Sequence, residues 1–303
     1  MEIYDAIIIG AGPAGLTAAL YLARKKANTL LITEDIGGQA ALAGQVENYP
    51  SQKIISGHDL MAKIHEQVEV LKVSIIYEQI KSIQKSDNQF KVVTDAKDYS
   101  SHTVIISSGK MPKKLNVPGE GKLTGRGVTY CVTCDAPNFK NVPVAVIGGG
   151  NSAMDSVLQL SKYTNQLYLV DINNEFIADA IMQEKVENLG FVKILHNKKI
   201  IAINGDQVVS AIEIEDIKTK QKEEIKVDGV FVTIGYQPST DFEMPVKLNK
   251  KREIIIDKNC NTNIPGFFAA GDVTDLQAKQ MVVAAGEGAK AALAAFNYLT
   301  KNK

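Results

Sequence analysis

Ile3-Tyr4-Asp5-Ala6-Ile7-Ile8-Ile9 runs directly into Gly10-Ala11-Gly12-Pro13-Ala14-Gly15, and this stretch decides the fold. A continuous apolar run that stops at glycines reads as a parallel strand covered on both faces. The alanine- and leucine-rich segment Ala14 to Lys25 reads as a helix, and Thr29 to Thr33 as the next strand, ending at Glu34. Strand, glycine turn, helix, strand and an acidic residue about 20 residues past the glycines are the context of a dinucleotide-binding fold. Glycines let backbone approach a pyrophosphate, the helix start supplies N–H groups and a positive dipole end, and Glu34 accepts from a ribose hydroxyl.

The same order returns more than one hundred residues later. Val144 to Ile147 reads as a strand, Gly148-Gly149-Gly150 as the turn and Ala153 to Lys162 as the helix. Gln166 to Val170 is the second strand, with Asp171 at its end. Between the two units, Val104 to Ser108 is an apolar strand that stops at Gly109, and Lys113 to Gly119 looks like a crossing between domains. A second crossing is expected at Tyr236 to Pro245, after the strand Gly229 to Ile234. Phe267 to Leu299 then returns to the first domain as strand, Gly271-Asp272 turn and long helix. The expected architecture is α/β, with two Rossmann-like nucleotide-binding domains, the second inserted into the first. The expected boundaries are 1–115 with 244–303 for the first domain and 116–243 for the second.

The 303 residues suffice for two domains, and 45% hydrophobic with 22% charged residues is an ordinary globular balance. Lysine plus arginine equals aspartate plus glutamate, at 34 each, so no charge excess draws the chain to nucleic acid or anionic lipid. Ala6-Ile7-Ile8-Ile9 has no basic leader and reads as a buried strand rather than a signal peptide. No apolar run approaches the roughly 20 residues of a membrane span, and a cytoplasmic protein is expected.

Cys131 and Cys134 flank two residues in Tyr130-Cys131-Val132-Thr133-Cys134-Asp135-Ala136-Pro137. Two-residue spacing at a helix start allows an intramolecular disulfide and favours the thiolate form. A zinc site would need two more ligands; Cys260 has no nearby cysteine or histidine, and His58, His65, His102 and His196 show no metal spacing, so no metal is expected. Asp135 has two readings that local sequence leaves open: a buried carrier of the thiol proton, or an exposed residue that only complements the helix dipole.

These residues resemble the low-molecular-weight thioredoxin reductases and the related flavoprotein component of alkyl hydroperoxide reductase. The resemblance runs nearly end to end. Its blocks are Gly10 to Gly15, Gly37-Gly38-Gln39, Val46-Glu47-Asn48-Tyr49-Pro50, Ser107-Ser108-Gly109 and Gly125-Arg126-Gly127-Val128. Further blocks are Val144 to Ala153, Ile234-Gly235, Ile264-Pro265-Gly266 and Gly271-Asp272-Val273, with Gln280 beyond. It implies the class II pyridine nucleotide-disulfide oxidoreductase architecture, with FAD on the discontinuous domain. Gly10, Gly12, Pro13, Ala14, Gly15, Glu34, Gly38, Gln39, Asn48, Ser108, Gly109, Gly271, Asp272, Gln280 and Met281 fall at the implied FAD positions. Gly148, Gly150, Asn151, Ser152, Ala153, Asp171, Ile234 and Gly235 fall at those for the nicotinamide nucleotide. By the same resemblance Cys134 faces the flavin and Cys131 attacks the partner, with Asp135 serving the thiols.

One stretch departs from the reductases that use NADPH, which carry His-Arg-Arg-x-x-x-Arg after the second-domain strand. Here Asp171-Ile172-Asn173-Asn174-Glu175-Phe176-Ile177 offers no cation for a 2′-phosphate, and a carboxylate there suits the ribose hydroxyls of NADH. The hydroperoxide-reductase relatives look similar here, with Ala178-Asp179 matching downstream. The first fingerprint begins at once, so no thioredoxin-like module is expected ahead of it. Electrons are therefore expected to leave to a separate thioredoxin- or glutaredoxin-like protein, from a homodimeric enzyme. Three alternatives stand beside this: a ferredoxin or reduced deazaflavin donor, a ferredoxin–NAD(P)H reductase-like flavoprotein, and a non-catalytic redox sensor. The cysteine pair argues against the second.

Overall fold

Apolar runs bounded by glycine become the central strands. The computed structural model describes residues 3–43, 46, 48–86 and 88–302. These form two compact units, Met1–Met111 with Gln237–Lys303, and Pro112–Tyr236. The divisions fall four and seven residues earlier than the expected 115/116 and 243/244. The packing explains this: Leu115 packs on the core of the second unit, and Phe242 and Met244 on a core of the first.

In the first unit, Ser74–Tyr77, Thr29–Ile36, Ile3–Ala11 and Asp98–Ile106 lie side by side in that order, all parallel. Phe267–Ala269 adds to Asp98–Ile106 in parallel, and Gln89–Thr94 and Ile80–Ser86 extend the sheet antiparallel. Ile7, Ile8, Leu31 and Ile105 are fully buried. Each such side chain contributes about 1.5–3 kcal/mol relative to exposure.

The helices Pro13–Arg24 and Met281–Asn302 pack through small residues, with Ala14, Ala18, Ala291, Ala292 and Ala295 in one core cluster. A Cβ on Gly288 would stand 2.0 Å from the Ala14 carbonyl oxygen, so this approach requires glycine. The first helix starts at Pro13 and ends at Arg24, one residue earlier at each end than expected. Asp98–Ile106 starts six residues before the expected Val104 and ends two before Ser108. Ser107 leaves the strand because its N–H and hydroxyl both donate to the Ile9 carbonyl, each at 2.8 Å.

In the second unit, Lys193–Leu195, Leu167–Val170, Val144–Ile147, Gly229–Val232 and Val128–Thr129 form a parallel five-stranded sheet in that order. Asn151–Leu160 is its glycine-led helix, two residues earlier than expected at each end. The strand expected to reach Ile234 ends at Val232, where the Thr233 N–H and hydroxyl both turn onto the Ile147 carbonyl. Beside this sheet stand three antiparallel strands, Lys198–Gly205, Val209–Asp216 and Lys222–Lys226, which the sequence pattern does not separate.

Candidate functional site

In the first unit a cleft of about 530 Å³ opens at the carboxyl ends of the parallel strands. That is where α/β sheets place ligands. Thirteen of the implied FAD residues line it: Gly10, Gly12, Pro13, Ala14, Glu34, Gly38, Gln39, Ser108, Gly109, Gly271, Asp272, Gln280 and Met281. Gly15 and Asn48 do not. Gly15 lies beneath the turn, where a Cβ would stand 1.8 Å from the Gly10 carbonyl oxygen. The exposed Asn48 side chain donates to Gln280 Oε1 at 3.1 Å. Glu47, in the same block, lies outside the described residues.

Gly12 has the opposite surroundings to Gly15. It caps the helix with φ −74° and no side-chain capping bond, and nothing stands within 4 Å of where a Cβ would be. No side chain caps this helix start, the kind of site whose N–H groups suit an anion. Glu34 is exposed at the cleft, two residues before its strand ends at Ile36.

The cleft also recruits residues that the sequence motifs do not reveal. Glu78, Gln79 and Ile80 follow the strand Ser74–Tyr77, and Ser239, Asp241 and Phe242 follow the return crossing. The strand-end rule would have found the first three. Lys110 Nζ lies 2.7 Å from Asp272 Oδ2, and Lys279 Nζ lies 3.3 Å from Glu253 Oε1. Behind the Gly271-Asp272 turn, Glu287 Oε2 accepts from the Gly271 N–H at 2.8 Å while Oε1 is buried without a partner. Burial raises the Glu287 carboxyl above its ordinary range. Cys260 is fully buried, and burial pushes its thiol up to about 11; it is an inert core thiol.

In the second unit Cys131 and Cys134 form a disulfide, with Cα atoms 5.4 Å apart. Cys131 caps the short helix Val132–Asp135, and its sulfur accepts from the Cys134 N–H at 3.3 Å. Cys134 is exposed and Cys131 half-buried. Asp135 is half-buried, and its Oδ2 accepts from the Thr129 hydroxyl. Tyr130, next to the pair, donates to Glu120 Oε1 at 2.8 Å; burial first, then this carboxylate, push its phenol up to about 12.

The second glycine turn is covered rather than open. The N–H groups of Ile177 and Ala178 donate to the Gly149 carbonyl at 3.0 and 3.1 Å. Asn151 Nδ2 donates to Asp179 Oδ2 at 2.9 Å, and the Asp179 N–H returns a bond to Asn151 Oδ1 at 2.7 Å. Phe176 packs on His196 with ring centroids 4.4 Å apart and the rings tilted by 50°. Asp171, expected to face a ribose, is 3% exposed. Its Oδ1 takes two bonds from Asn173, and its Oδ2 is buried with no partner, so close to Gly149 that a Cβ there would stand 1.9 Å away. Lys198, whose N–H bonds the Asp171 carbonyl, commits its ammonium to Asp216 at 2.9 Å. Gly150 caps its helix without a side-chain bond, Ser152 is exposed at the helix start, and Ala153 is fully buried. Ile234 packs on the core of this unit, and Gly235 has open space where a Cβ would stand.

Among the described residues no group of three or more histidine, cysteine or acidic side chains is placed to hold a metal, and no helix is long and apolar enough to cross a membrane.

Comparison with known proteins agrees with this geometry. Residues 4–288 match the pyridine nucleotide-disulphide oxidoreductase family. The alkyl hydroperoxide reductase F protein of Staphylococcus aureus is 38% identical over 304 residues, covering 99% of this chain. The chain spans 60% of the length of that relative. Among solved structures, Lactococcus lactis thioredoxin reductase superposes with a TM-score of 0.86 at 32% identity, covering 98% of this chain and 99% of the other. The thioredoxin reductase of T. acidophilum gives 0.84 at 31% identity over 100% of both chains. The chain belongs to the pyridine nucleotide-disulphide oxidoreductases, and within them to the thioredoxin-reductase-like flavoprotein enzymes.

Proposed function

We propose that this protein is a disulfide reductase that carries electrons from NADH, through FAD, into Cys131 and Cys134, and on to a thioredoxin- or glutaredoxin-like protein. The formed disulfide at a helix cap, with Asp135 beside it, is the observation that carries the reading. Its supports are a dinucleotide-sized cleft in one unit and a second glycine turn in the other.

The first unit fits FAD. Gly12 leaves space and uncapped N–H groups for a diphosphate, Glu34 stands exposed for ribose hydroxyls, and Gly271-Asp272 closes the far side. FAD, once bound, supplies two-electron transfer between a hydride donor and the disulfide. Asp171, Gly150 and the start of Asn151–Leu160 would hold the nicotinamide nucleotide, and the buried, unpartnered Asp171 Oδ2 would meet a hydroxyl donor once the segment 172–179 moved off the turn. NADH is favoured because no lysine or arginine lies between Asp171 and Ile177, and Lys198 is already paired. A 2′-phosphate there would lack a cationic partner and meet a carboxylate. The burial of Asp171 favours one second reading: the same disulfide chemistry fed by a ferredoxin or reduced deazaflavin.

The proposal includes a homodimer and a cytoplasmic setting, where a reducing pool keeps dithiols usable. Anaerobic mixing of the FAD-loaded protein with NADH, then NADPH, followed by a thioredoxin, tests it. Flavin bleaching by NADH and recovery on adding oxidised thioredoxin are expected. Faster bleaching by NADPH overturns the donor assignment, bleaching by neither promotes the second reading, and no recovery overturns the acceptor.

A further inference from the structure

We propose that Thr129 is a positioning residue for thiol–disulfide exchange, holding Asp135 and the Cys131 backbone through one buried hydroxyl. The inference rests on the disulfide-reductase reading and adds to it a group outside the Cys-x-x-Cys motif.

Thr129 is only 7% exposed and ends the parallel edge strand Val128–Thr129, where it pairs in register with Phe231. The central sheet therefore fixes its backbone. Its hydroxyl donates to Asp135 Oδ2 and accepts the Cys131 N–H at 3.1 Å. The Asp135 N–H in turn donates to the Cys131 carbonyl at 3.2 Å, which closes a ring of bonds from strand to cysteine to carboxylate.

A hydroxyl both donates and accepts. With the Cys131 N–H on one lone pair, Thr129 donates to an ionised Asp135 and can accept from a protonated one. Asp135 is thus held in place in both protonation states, which a residue that takes up and releases a proton requires. The exchange needs that service twice. One thiolate of the reduced pair attacks a sulfur of the partner disulfide; an enzyme–partner S–S bond forms, the partner S–S bond breaks, and the released thiolate takes a proton. The other enzyme thiolate then attacks the enzyme sulfur of the mixed disulfide. Cys131–Cys134 re-forms, and the second partner thiolate leaves and is protonated. The enzyme dithiol is oxidised by two electrons and the partner disulfide is reduced by two.

The test uses FAD-loaded protein reduced with dithiothreitol, desalted anaerobically, and mixed in one turnover with oxidised thioredoxin or the small disulfide DTNB. Thr129→Val keeps the shape and removes the hydroxyl; Thr129→Ser keeps the hydroxyl. Expected is a drop of about tenfold or more in the exchange rate for Val, less than the roughly hundredfold or more that a positioned proton carrier supplies, because the Asp135 carboxylate remains and loses only its positioning. Ser is expected within about threefold of the parent. In the Asp135→Asn background, Thr129→Val should cost clearly less than in the parent, because the bond to Asp135 is shared by the two changes and only the Cys131 N–H bond remains to be lost.

A Val variant that exchanges at the parent rate overturns the proposal, as does a Ser variant as slow as Val, or full additivity with Asp135→Asn. If Val does not fold, Thr129→Ala is compared with Ser in its place. If the pre-reduced parent itself reduces neither disulfide, the disulfide-reductase reading fails and takes this inference with it. Slow Val with a fast parent and Ser supports the inference whatever the electron donor.

Discussion

Gly12 and Gly15 stand three residues apart in one turn, and their alanine variants should fail for opposite reasons. At Gly12 the backbone is one any residue adopts, φ −74° and ψ −172°, and the space for a Cβ is open. Gly12→Ala should leave the protein without FAD as stable as the parent, or up to about 1 kcal/mol more stable, since alanine narrows the unfolded ensemble. Its methyl group points into the space where a diphosphate must approach the helix start. Losing one or two charged hydrogen bonds of about 1.5–3 kcal/mol each weakens FAD by about 1.5–6 kcal/mol. At 1.4 kcal/mol per decade, that is roughly tenfold to twenty-thousandfold in Kd.

At Gly15 the methyl would stand 1.8 Å from the Gly10 carbonyl oxygen and 2.6 Å from Ser107 Oγ. Backbone has to move, so Gly15→Ala should destabilise the protein even without FAD, by about 1–3 kcal/mol or more. For a unit of this size each kcal/mol lowers Tm by about 2–4 °C. Thermal unfolding of the FAD-free proteins and flavin fluorescence titration separate the two effects. FAD binding by Gly12→Ala at parental affinity would refute the claim that a phosphate lies against that turn.

Asp171→Ala combined with arginine at Ile172 and Asn173 should move donor preference towards NADPH by about tenfold to a thousandfold, one to three charged interactions' worth, read from flavin-bleaching rates with each nucleotide. Glu287→Gln keeps an acceptor for the Gly271 N–H and removes the ionisable group. Burial raises the Glu287 carboxyl, so the parent is most stable below the unfolded carboxylate range and loses stability as pH rises through the folded value. The Gln variant should therefore gain Tm over the parent at about pH 8 and little at about pH 4; equal gains at both refute this assignment. Glu120→Ala strips a carboxylate that is 3% exposed and accepts from the Leu115 N–H, the Asn116 N–H and the Tyr130 hydroxyl at 2.8, 2.7 and 2.8 Å. Denaturant unfolding should show a loss of about 2–5 kcal/mol, and Tyr130 should titrate below its value of about 12.

The glycine turns and the strands before them are legible in the sequence because both follow local rules. Glycine is demanded where backbones meet, and strands covered on both faces lack polar alternation. The inserted arrangement follows from two nucleotide motifs with a strand and helix returning after them. The burial of Asp171 is not legible. It depends on the segment 172–179 folding back so that two N–H groups meet one glycine carbonyl, a main-chain contact with no residue signature. The sequence spacing places Asp171 at the right strand end and leaves its side chain's surroundings open. Asp135 has two local readings, exposed or buried; the side chain is half-buried under Thr129, a strand residue six positions earlier whose approach no local pattern announces.

In the proposed function, electrons entering this protein end in the Cys131–Cys134 pair. Anaerobic titration of the FAD-loaded protein with NADH, with thiols counted by iodoacetamide alkylation in denaturant at about pH 8, where thiolates form, distinguishes the outcomes. The parent should gain two alkylated cysteines per chain, both within the peptide carrying Cys131 and Cys134, as the flavin bleaches. Cys134→Ser should bleach its flavin with no thiols gained. A parent whose flavin bleaches fully while the disulfide stays intact contradicts the account.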